Sequence, residues 1–214
     1  LMGQAWSGFK GKVGGLYSFF DDEDEIVAAT MDEEKMQKLI FKWAKGLNQA
    51  NDPEKDQGAL SKKLQEAMGW ERPQADLAAK FGCVTATLYI ELLASGADVE
   101  SFGDFYKKMV NEGWIQAEDA YVFKMDKIVG HYGKKLYKTK DYNKFQKLMK
   151  NGVKHGMVSF KHGSRQHNFN VYRYKEGIHV GNVGKRDHNK ETFQYAIDDY
   201  NYKLHQFRYF YYIK

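Results

Sequence analysis

FGCVTATLYIELLA, residues 81–94, decides how this chain folds. From Cys83 to Ala94 the residues Val84, Ala86, Leu88, Tyr89, Ile90, Leu92 and Leu93 leave no polar stripe, and Glu91 is the one charge. A helix that is apolar on every side has no face to give to water, so it belongs in the core with other elements packed round it. Phe81 and Gly82 form the turn before it, which puts the Cys83 thiol at its first position. Gly96 supplies the stop, because glycine adopts the left-handed conformation that ends helices.

Working outward, the stretch from Pro73 through Ala75 to Lys80 is helical in composition, and a short helix is predicted over residues 59–68. Across residues 31–50, Met36, Leu39, Ile40, Trp43, Ala44 and Leu47 recur at intervals of three and four, the signature of an amphipathic helix. Its first turn holds Asp32, Glu33 and Glu34, where the helix dipole favours negative charge. Asn51, Asp52 and Pro53 mark a break, residues 2–20 read as an irregular glycine-aromatic arm, and an acidic run follows at residues 21–25. Downstream, Ser101 and Asp104 make a capping box for a helix ending near Gly113. Further helices are predicted over residues 118–129 and 143–150, the latter closed by Gly152.

The last third changes period. Residues 157–160 read as a short strand, and residues 166–174 alternate His167, Phe169 and Val171 against Asn168, Asn170 and Tyr172. Residues 178–183 and 206–213 supply further strands, with a hairpin turn at residues 162–165. Helices first and an antiparallel sheet afterwards define an α+β fold, divided into an N-terminal helical and irregular region, 1–70, and a main domain, 71–214.

Composition narrows the function classes. Hydrophobic residues are 43% and charged residues 29% of the 214, with two prolines, which excludes a disordered or collagen-like chain. A single cysteine excludes an internal disulfide. No run reaches the roughly 18 apolar residues of a membrane helix, and no signal-peptide core is visible. The expected location is the cytoplasm, or outside the cell without a standard signal, although Met2, Gly3 and Ser7 formally match a myristoylation pattern. The residues around Gly11 to Gly15 lack the Lys and Ser/Thr of a phosphate-gripping loop, and the scattered histidines offer no zinc spacing, so neither metal nor other cofactor is expected.

Charge is polarised. Residues 131–214 carry 18 Lys/Arg against 6 Asp/Glu, while the rest carries 15 against 22. Such a basic half can hold a polyanion or can balance an acidic region, and the second is the simpler reading. Phe207, Tyr209, Tyr211 and Tyr212, interleaved with Arg208 and Lys214, fit a half-buried strand better than a base-stacking platform, so nucleic acid is not the expected partner.

Cys83 carries the chemical interest. A thiol attacks as thiolate, and a helix N-terminus favours the thiolate through unpaired N–H groups and the dipole. Such a nucleophile needs an imidazole from another element, and His167 opens an alternating strand 84 residues later. If that strand pairs with the one ending at Asn182, Asn182 can orient the ring as the third member of a triad, with Asp187 as the fallback. His162 is a rival base on the turn, whereas His155, His179 and His188 read as polar surface or satisfied strand residues.

Phe81, Gly82 and Cys83 before an apolar helix, then Gly113, Trp114 and Ile115, the run Asp119 to Val122, and His167 ahead of an alternating strand together resemble the papain-like clan of cysteine peptidases. Within the clan they look like the group related to bacteriocin-leader (double-glycine) peptidases and their relatives on spirochaete plasmids and prophages. The similarity covers about residues 73–190. It implies a nucleophile helix packed on an antiparallel sheet, a Cys83–His167 pair, Asn182 as third member, and an upstream glutamine, best matched by Gln74, at the oxyanion. Val84 replaces that group's usual glycine, Asn182 and Val183 replace its Asp-Pro, and Gln74 lies nine residues before Cys83. The expected activity is hydrolysis of amide bonds in a polypeptide or a peptidoglycan peptide. The alternative is a non-catalytic module on the same fold, holding a polyanion or a protein partner on its basic, aromatic C-terminal half.

Overall fold

A computed structural model describes residues 31–49, 57–181, 184, 192–199 and 201–214. The expected arm, acidic run, myristoylation pattern and break at Asn51 to Pro53 lie outside these residues, as do Asn182, Val183, Asp187 and His188. Among the described residues there are eight helices and five strands. The first helices are α1 (Glu33–Gly46), α2 (Ala59–Met68), α3 (Arg72–Phe81), α4 (Cys83–Ala94), α5 (Phe102–Asn111) and α6 (Met125–His131). Strand β1 (Leu136–Thr139) and helix α7 (Tyr142–Lys150) lead into β2 (His155–His162), β3 (Arg165–Tyr174) and β4 (Gly177–Gly181). Helix α8 (Phe193–Asp199) and strand β5 (Phe207–Ile213) complete the chain.

Local chemistry sets the helix ends. Asp32 caps α1 by accepting from the Lys35 N–H at 2.8 Å, and Asp141 caps α7 by accepting from Asn143 and Lys144. Ser101 accepts from the Asp104 N–H and donates to its carboxylate at 2.7 Å, which starts α5. Gly96 has φ +75° and closes α4 as expected.

All five strands pair antiparallel in the order β1-β5-β2-β3-β4, so the C-terminal strand inserts between β1 and β2. Pleat alternation gives the sheet two apolar faces. One face, with Met157, Tyr172 and Ile213, packs on the core built round α4, to which α1 contributes Met36 and Ile40 and α2 contributes Leu60 and Leu64. The other, with Val158, Phe160, Phe169 and Phe210, packs on Phe145 of α7 and on Phe193 and Ile197 of α8. The α+β class stands, but the simple succession of helices and then sheet needs correction, because helices cover both faces and α8 lies between two strands. Only Phe193, Ala196 and Ile197 of that seven-residue helix are apolar and buried, too short a pattern to show a period.

The helix expected over residues 118–129 is also corrected: α6 begins only at Met125. The Asp119 side chain accepts from the Tyr121 N–H at 3.1 Å, Ala120 takes φ +55°, and Ile115 bridges Val122. Local side-chain capture of the backbone here wins over helix. No single helix among the described residues is long and apolar enough to cross a membrane; α3 and α4 pass by length and composition only as a pair bent by 70°.

Candidate functional site

Cys83 is the first residue of α4, and Gly82 before it is hemmed in: a Cβ there would meet Leu60 at 3.0 Å and the Ala78 carbonyl at 3.2 Å. Close packing therefore fixes where the helix starts. The Cys83 thiol, 7% exposed, points at the Gln166 carbonyl of β3 at 4.0 Å. The Asn168 N–H is directed at the same sulfur, so the thiol rests against strand backbone on either side of His167. The opening of the apolar helix and the start of the alternating strand thus meet.

Side chains take different faces. Asn170 faces α4 and donates to the Thr87 carbonyl at 3.0 Å, and Asn168 and Asn170 are buried. His167, half-buried, pairs with Phe160 across the sheet and sets its ring 5.9 Å from that of Phe169, on the phenylalanine-lined face. Strands β3 and β4 do pair, with Asn170 opposite Gly181, the last described residue before Asn182.

Burial pushes the Cys83 thiol above its ordinary value, and the N–H groups of Asn168, Val84 and Cys83 oppose this without cancelling it. Burial thus opposes the thiolate that the helix terminus is expected to favour. Gln74 occupies the first turn of α3, seven residues before Phe81, a rise of roughly 10 Å along the helix, and α4 then leaves at 70°.

At this end of the molecule Gln49 and Tyr202 were not singled out from sequence, whereas Thr85 reads there as a possible oxyanion donor. Gln49 donates to the Ala79 carbonyl at 2.6 Å and the Lys80 carbonyl at 3.3 Å, tying the end of α1 to the α3–α4 junction. Thr85 donates to the Ala120 carbonyl at 2.7 Å, docking the loop with the exposed Tyr121 and Phe123 onto the first turn of α4. Tyr202 stacks on Phe160 at 4.9 Å, and burial, then the neighbouring Cys83, raises its hydroxyl. These contacts join residues far apart in the chain, so no local pattern reveals them.

The remaining histidines divide. His155 is buried against Glu91, with Nδ1 2.8 Å from the carboxylate, a satisfied strand residue. His179 stacks on Tyr172 with ring centroids 5.8 Å apart. His162 sits at the end of β2, opposite Arg165. Among the described residues no cluster of three or more His, Cys, Asp or Glu could hold a metal ion. The chain matches no protein-family model, no curated protein and no solved structure.

Proposed function

We propose that the protein is a thiol hydrolase of papain-like type, cleaving amide bonds in a polypeptide or a peptidoglycan peptide, with Cys83 as nucleophile and His167 as base. The observation that supports this reading is the meeting of the Cys83 thiol with the β3 backbone that flanks His167, 83 residues from Cys83 to Gln166. In this scheme the thiol proton passes, as sulfur attacks the carbonyl carbon, round the edge of β3 to the His167 imidazole, whose ring stands on the phenylalanine-lined face. The Cys83 backbone N–H at the start of α4 donates to the developing oxyanion. The imidazolium returns its proton to the leaving amine as the C–N bond breaks, and water then hydrolyses the thioester. Asn182 orients the ring in this scheme.

Casein and purified peptidoglycan are the test substrates, with Cys83→Ser as control. Wild-type release of new amino termini that disappears in the variant supports the reading; equal release by both overturns it.

Burial of Cys83 favours a second reading, a non-catalytic module in which the sulfur is a small apolar packing group. That reading expects the thiol to resist iodoacetamide at every pH at which the protein stays folded.

A further inference from the structure

Residues 134–154 hold eight lysines and one acidic residue, Asp141, so this segment alone exceeds the chain's net charge of +5. It builds one edge of the molecule: β1 is the outer strand of the sheet, and α7 packs beside it and β5. Phe145 and Met149 turn inward on α7, leaving Lys144, Lys147 and Lys150 exposed at intervals of three. Those three lysines stand one per turn, a rise of about 4.5 Å each. The Asp141 carboxylate caps the α7 backbone and so answers N–H groups at the helix start.

The strands add cations held on rings on both sides of this edge, Tyr212 on the face that packs on α7 and Tyr211 on the face toward the α4 core. Lys138 lies 3.7 Å over Tyr209 and 5.4 Å over Tyr211, and Lys140 is 5.5 Å from Tyr209. Tyr137 and Tyr212 stack at 4.9 Å across the β1–β5 pair, with Lys135 5.1 Å and Lys214 5.4 Å from the Tyr137 ring. A ring under an ammonium limits where the side chain roams and so lowers the ordering cost when an anion arrives. Burial lowers the Lys138 pKa, with Tyr209 opposing and Lys140 adding to the shift.

We infer that the β1–α7–β5 edge is a binding surface for nucleic acid, gripping the phosphate backbone without reading base sequence. A row of cations along a helix fits a repeating polyanion better than a single anion. A lipid surface fits less well, because among the described residues the exposed large apolar side chains, Leu77, Phe81, Tyr121, Phe123, Tyr195 and Leu204, lie outside residues 134–154 and 207–214. This surface does not depend on whether Cys83 is a nucleophile.

The test uses the full chain and a fluorescent 20-base-pair duplex, followed by anisotropy from 25 to 200 mM salt. Binding should weaken steeply, with a log–log slope near −0.9 for each phosphate neutralised. Lys144→Gln/Lys147→Gln/Lys150→Gln should lose at least tenfold in affinity and flatten the slope, with an unchanged circular dichroism spectrum. Lys135→Gln/Lys140→Gln, flanking β1, should weaken binding independently, so a misfolded helix variant does not end the test. Lys62→Gln/Lys107→Gln, on α2 and α5, should bind as wild type. Absence of binding at 25 mM salt, equal losses in the control variant, or preference for phosphatidylglycerol vesicles over the duplex overturns the inference.

Discussion

At the sulfur of Cys83, burial and backbone dipoles act against each other, and burial prevails. Alkylation by iodoacetamide should therefore reach half its maximal rate above pH 9, the ordinary value for this thiol; a midpoint below pH 8 would show that the N–H groups dominate instead. Glu91 presents the same contest inside the core. Its carboxyl is fully buried and held above its ordinary 4.5 by desolvation, which His155 offsets only in part. A folded-state value above the unfolded one means that this group's stabilising contribution is complete below pH 4.5 and fades as pH rises through the folded value. Chemical denaturation at pH 5 and pH 8 should show wild type losing more stability with rising pH than Glu91→Gln, which keeps the shape and removes the charge. An equal loss in both proteins would show that Glu91 does not titrate in this range.

Elements meet through contacts as specific as these. Gly156 of β2 lies where a Cβ would run into the Phe210 ring and the Tyr211 carbonyl, so Gly156→Ala should destabilise the protein by about 1–3 kcal/mol in denaturant melts. A neutral result would mean that β5 can shift freely. Thr85→Val should cost about 1–3 kcal/mol, because it leaves the buried Ala120 carbonyl without its donor, and should speed proteolysis between α5 and α6. Helices α2 and α4 were legible to the residue, since an amphipathic face and an all-apolar run are local patterns. Strand β3 was legible because its period of two persists through Tyr174. Strand β1 was not: four residues, Leu136 to Thr139, set among lysines, show no pattern until Tyr137 and Lys138 lie opposite Tyr212 and Tyr211.

For the whole molecule, the sheet between two helical layers is the frame that turns distant residues into neighbours. The meeting of α4 with β3 was legible as a possibility, because a greasy helix must find a sheet and the alternation of β3 marks one. Which face of the strand His167 takes, and how deeply Cys83 is buried, depended on packing that no window of sequence contains. Charge is organised at the same scale, with the lysine-rich edge built by β1, α7 and β5. The central claim, that Cys83 acts as a nucleophile with His167, is tested most directly by intact-mass detection of a covalent adduct. Wild type and His167→Ala would each be incubated at pH 7 with a peptidyl epoxide too weakly electrophilic to label ordinary thiols. Wild type should form a stoichiometric adduct on Cys83 and the variant little or none; an unlabelled wild type, or equal labelling of both, would exclude the Cys83–His167 pair.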